Sequence, residues 1–60
     1  MAFQFKIYEI HEEQDGDTLL LVASGEGNNK EEIEKECNHY AMQYSQDYKI
    51  KVERNYSHTP

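Results

Sequence analysis

A single cysteine, Cys37, excludes an internal disulfide and points to a reducing compartment. Long apolar runs are also missing. The longest unbroken one is Leu19 to Ala23, far short of the 18 or more residues that a membrane span needs. No charged-then-apolar leader follows Met1, so no signal peptide is expected, and the expected setting is the cytoplasm. Basic side chains are scarce, six Lys and Arg against twelve Asp and Glu, for a formal net charge of −6. That surface repels nucleic-acid phosphates and anionic lipid, and it favours a basic protein partner. The plainer role of the same charge is solubility. With 60 residues the chain forms one small domain, 1–60, in which 57–60 reads as a frayed tail. A domain of this size buries only about 60% of the surface that its unfolded chain exposes. Such domains often gain stability from disulfides, a metal or a partner subunit.

What the sequence does hold is one clear amphipathic segment, NKEEIEKECNHYAMQYSQ, from Asn29 to Gln46. Ile33, Cys37, Tyr40, Ala41 and Tyr44 fall in one stripe at helical spacing. Asn29 stands as the N-cap, with Glu31 and Glu32 in the first turn, where carboxylates suit the helix dipole. Glu32 also completes a pairing like a capping box. Three strands surround this helix. Ala2 to Glu13 places Phe3, Phe5 and Ile7 on one face and Tyr8 and Ile10 on the other. Asp15-Gly16 is a two-residue turn signal. Thr18 to Ser24 is the second strand, and Gly25-Glu26-Gly27-Asn28 breaks it and feeds the helix. After Asp47, Tyr48 to Tyr56 alternates, with Tyr48, Ile50 and Val52 facing in and Lys49, Lys51 and Glu53 facing out.

The fold expected is α+β with order β-β-α-β: a three-stranded antiparallel sheet in spatial order 2-1-3, one helix on one face. A right-handed crossover from strand two to strand three permits it. Placing strand three beside strand two would create one parallel pair, and ranks second. Closing the hairpin on Asp15-Gly16 sets Ile10 opposite Leu21 and Tyr8 opposite Ala23. Tyr8, Ile10, Leu19, Leu21 and Ala23 then share the face away from the helix, unless a bulge reassigns some of them. Soluble monomers rarely leave such a strip bare, so a homodimer that buries it is expected.

Signals for chemistry are thin. Cys37 and His39 point about 200° apart on a helix and cannot grip one ion together, and no further ligand pattern accompanies them. Cys37 reads as a small core residue. Gly25-x-Gly27 lacks the third glycine of a dinucleotide fingerprint and the Gly-Lys-Ser/Thr ending of a P-loop, so it reads as a helix entry with unusual backbone angles. The stretch GEGNNKEEIEKEC resembles the last-helix entry of double-stranded-RNA-binding domains. It departs where that family carries basic residues, because only Lys30 is present among Glu31, Glu32 and Glu34. The strand-glycine-helix-strand plan is similar to the small HicB-type antitoxin fold, with one strand fewer. Both likenesses are of pattern and place the chain in neither family.

These readings converge on a small acidic protein-interaction module, an inhibitor or regulator of the phage or mobile-element kind, that is not an enzyme and takes no metal or cofactor. Glu12, Glu13, Asp15, Asp17, Glu31 and Glu34 form the acidic face expected to dock a basic partner. Tyr40, Tyr44 and Tyr48 are assigned to the core, leaving Tyr8 and Tyr56 for contacts with a partner. The alternative is nucleic-acid binding through Lys49, Lys51 and Arg54 on the third strand.

Overall fold

A computed structural model of the chain describes residues 2–56. The tail expected at 57–60 lies outside the described residues. Strand β1 (Phe3–Glu13), strand β2 (Gly16–Gly27), helix α1 (Lys30–Tyr44) and strand β3 (Lys49–Tyr56) follow in that order. The sheet order is β2-β1-β3 and both pairings are antiparallel. This is the expected β-β-α-β arrangement.

The helix starts where its cap chemistry dictates. Asn29 has extended backbone, and its Oδ1 accepts from the amides of Glu31 at 3.0 Å and Glu32 at 3.3 Å. These are two of the first-turn donors that no helical carbonyl can reach. At the other end Ser45 donates its amide to the Ala41 carbonyl and its hydroxyl to the Met42 carbonyl. α1 packs mainly over β1 and β2. Among the described residues the buried core is Phe5, Ile7, Ile33 and Cys37, with Phe3, Val22, Ala23, Tyr40, Ala41, Ile50, Val52 and Tyr56 packed around them. Tyr44 is half-buried at the end of the stripe.

The hairpin differs from expectation in two places. It closes at Glu13↔Gly16, so Gln14 and Asp15 make the turn. A turn on Asp15-Gly16 of the expected type needs positive φ at both positions, and among the described residues Gly16 alone has it, at 128°. Ile10 therefore faces Leu19 and Tyr8 faces Leu21, each two residues from the expected partner. Beyond that, the register shifts between Ile7 and Tyr8, and Val22 is the extra residue on β2. Ala23 thus lies opposite Ile7, on the helix side.

The glycines also belong to the strand. β2 runs on through Gly25 and Gly27, neither with positive φ. Their reason is space. A Cβ on Gly25 would stand 2.5 Å from Cε1 of Phe5, and one on Gly27 would stand 3.2 Å from Cδ1 of Ile33. Close packing, not an unusual turn, is what these positions require.

Lengths decide what stays bare. Fifteen helical residues span about 22 Å, whereas strands of 11 and 12 residues span nearly 40 Å. The chain is 44 Å long and 12 Å thick. α1 starts beside the Gly27 end of the hairpin and reaches back to Leu21–Ser24, so the tip of the hairpin projects past it.

Candidate interaction surface

The pairs Tyr8↔Leu21 and Ile10↔Leu19 put four of the five expected interface residues side by side on the face away from α1. Ala23 is the exception, turned to the helix side by the bulge. Leu19 and Leu21 are 46% and 50% exposed, and Tyr8 and Ile10 are half-buried. Leu20, opposite Glu9 on the helix side, is 52% exposed because the helix stops short of it.

Polar groups frame this strip on the β3 side, where Lys51 lies opposite Tyr8 and Lys49 opposite Ile10. The Tyr8 hydroxyl donates to Oε2 of Glu53 at 3.2 Å, and Lys51 Nζ stands 3.7 Å from Oε1 of the same carboxylate. Lys49 Nζ stands 3.1 Å from Oε1 of Glu12. Desolvation, then the Glu53 charge and its hydrogen bond, raise the Tyr8 phenol above its ordinary pKa of 10.0.

The acidic residues do not form one face. Glu12, Glu13, Asp15 and Asp17 surround the hairpin tip and are exposed. Glu31 and half-buried Glu34 belong to the first half of α1, at the opposite end of β2. Most of the length of β2 lies between the two groups. The basic residues of β3 are divided as well. Lys49 and Lys51 lie on the face away from the helix, each beside a carboxylate, whereas Arg54 lies opposite Phe5 on the helix side.

Tyrosines take different places from those expected. Tyr48 is 46% exposed and stacks on His11, ring centroids 4.4 Å apart, outside the core. Tyr56 instead packs edge-on against Phe3 at 5.5 Å, with Lys30 Nζ over its ring. Cys37 is buried and His39 exposed, so the two are separated as the helical period requires. Among the described residues no three His, Cys, Asp or Glu side chains converge on a metal-sized site. No described helix is long and apolar enough to cross a membrane.

One surface feature was not anticipated. An open groove of about 440 Å³ runs between β2 and α1, lined by Leu21, Val22, Ala23 and Ser24 on one side and Tyr40 and Tyr44 on the other. Tyr40 and Tyr44, both expected in the core, are half-buried, and Tyr40 packs on the core while it also lines the groove. Compared with known families, curated proteins and solved structures, the chain matches none.

Proposed function

We propose that this protein is an interaction module that acts by binding and not by chemistry. Two copies join through the strip of Tyr8, Ile10, Leu19 and Leu21, and the acidic hairpin tip is left free to meet a basic protein as an inhibitor or regulator. The observation that carries this reading is the uncovered apolar strip on a domain with so few fully buried side chains. Burying a leucine completely contributes roughly 1.5–3 kcal/mol, so Leu19 and Leu21, each about half exposed, have about 1 kcal/mol apiece still to gain. A two-fold contact presents each residue twice, which doubles that gain. The buried thiol of Cys37 is consistent with a reducing, cytoplasmic setting.

Amide spectra recorded over a dilution series test the surface. The resonances of Tyr8, Ile10, Leu19 and Leu21 should move with concentration, while those of Ile33 and Cys37 stay fixed. Spectra independent of concentration, or shifts centred elsewhere, would contradict this reading.

A further inference from the structure

The two free edges of the sheet differ in chemistry. β3 carries Lys49, Lys51 and Arg54 within eight residues. Charged side chains of this kind keep an open edge from pairing with other strands. β2 has no lysine, arginine or proline in its twelve residues, GDTLLLVASGEG, and among the described residues nothing pairs with its outer side. Its one irregularity is the bulge at Val22.

The groove described above lies along this unguarded edge. Its far wall is Tyr40 and Tyr44, one helical turn apart, with ring centroids separated by 6.5 Å. A strand edge beside a helix wall can accept an extended segment. The edge supplies main-chain hydrogen bonds, and the helix supplies a surface for alternate side chains. The charges name the segment's composition. Asp15 and Asp17 flank the uncharged stretch of β2 on one side and Glu26 on the other. The Glu36 carboxylate stands over Gly25, 3.2 Å from where a Cβ would be.

We propose that the groove between β2 and α1 binds an extended segment of a partner protein, which adds to β2 as a fourth strand. The segment sets an apolar side chain against Tyr40 and Tyr44 and carries lysine or arginine toward its ends. A second copy of this chain is the poorer occupant. Antiparallel pairing of β2 with itself would bring Asp15 and Asp17 toward Glu26 of the other copy, and like charges across strands are destabilising. The bulge turns the edge at Val22, which keeps the added segment short and blocks extended edge-to-edge growth. This inference rests on the reading of the protein as an interaction module and names the class of its partner, on a surface that shares only Leu21 with the far-face strip.

Selection of a random-peptide display library on the intact immobilised protein tests it. Enriched peptides should alternate apolar residues and carry Lys or Arg toward the ends. Bound peptide should slow amide exchange along Leu21–Ser24. Tyr44→Ala and Ser24→Lys, at half-buried and exposed positions outside the core cluster, should each weaken binding about tenfold or more. Leu19→Ser, which disturbs the far-face strip and adds no charge to the edge, should leave it unchanged. No enrichment, enrichment of peptides without basic ends, or exchange protection elsewhere would overturn the proposal. So would a change of solution mass in Tyr44→Ala, because the occupant would then be a second copy. Loss of self-association in Leu19→Ser with no peptide enriched on the parent would leave the dimer standing and remove the groove alone.

Discussion

The two ends of this sheet are built from similar residues and meet opposite fates. At the Gly27 end, Phe5 and Ile7 are covered by Ile33 and Cys37 and lose nearly all contact with water. Toward the turn, Leu19, Leu20 and Leu21 are each about half exposed. Leucine is no less apolar than the residues that are buried. Leu20 lies on the helix side beyond the reach of a helix about half as long as the hairpin, and Leu19 and Leu21 point to the face that no helix covers. Hydrophobicity along a strand therefore says which residues gain from cover, and the side and length of the covering element say which of them receive it. At one end apolar side chains hold the domain together, and at the other they are free for a partner.

The contrast breaks most visibly through Ile33→Asp. An unpaired carboxylate among the three remaining buried side chains costs several kcal/mol, comparable with the roughly 5 kcal/mol at the low end of natural stabilities. The variant should show no cooperative melt by circular dichroism. Leu20→Asp, the matching change at the bare end, should melt within a few degrees of the parent. Equal losses from the two would erase the distinction.

Gly25→Ala probes the covered end more finely. The added methyl meets the Phe5 ring at 2.5 Å, and the ring has Tyr40 beside it at 6.3 Å between centroids. A loss of about 1–3 kcal/mol in denaturant unfolding is expected from overpacking. A neutral result would mean that the ring moves aside freely.

The smallest effect concerns Tyr8 at the bare end. Its raised pKa means that the folded state keeps a proton which the unfolded state releases above pH 10.0. The stability linked to it is fully present below that pH and is lost as pH rises through the folded-state value. Glu53→Gln removes the charge, leaves a weaker hydrogen-bond acceptor, and should move one tyrosine's titration, read by tyrosinate absorbance, toward lower pH. Identical curves for parent and variant would mean that Glu53 does not act on Tyr8.

Much of this was legible in the residues. The stripe from Ile33 to Tyr44 placed the helix, Asn29 placed its start, and alternation placed β3. The hairpin turn was misplaced, yet Tyr8, Ile10, Leu19 and Leu21 still fell on the right face. The reason is that the expected and observed registers differ by two residues, and a shift of two preserves side-chain direction where a shift of one reverses it. Ala23 was lost to the single-residue shift at Val22. A bulge in LLLVA leaves no mark in composition, because every residue there is apolar whichever way it points. Gly25 and Gly27 misled for a related reason. Glycine marks a strand break and a close approach equally well, and only the Phe5 ring and Ile33 above them decide between the two. The spread of the acidic residues was not legible, since charge counts do not say that the hairpin tip and the helix start lie at opposite ends of β2.

Sedimentation equilibrium of the parent chain beside Leu21→Lys tests most directly whether the bare strip is an interface. At tens of micromolar the parent should sediment with about twice the 7.1 kDa mass of one chain. Leu21→Lys should sediment as a single chain with its helical circular dichroism intact. A parent protein that is monomeric across that range, or a variant that dimerises as well as the parent, would contradict the account.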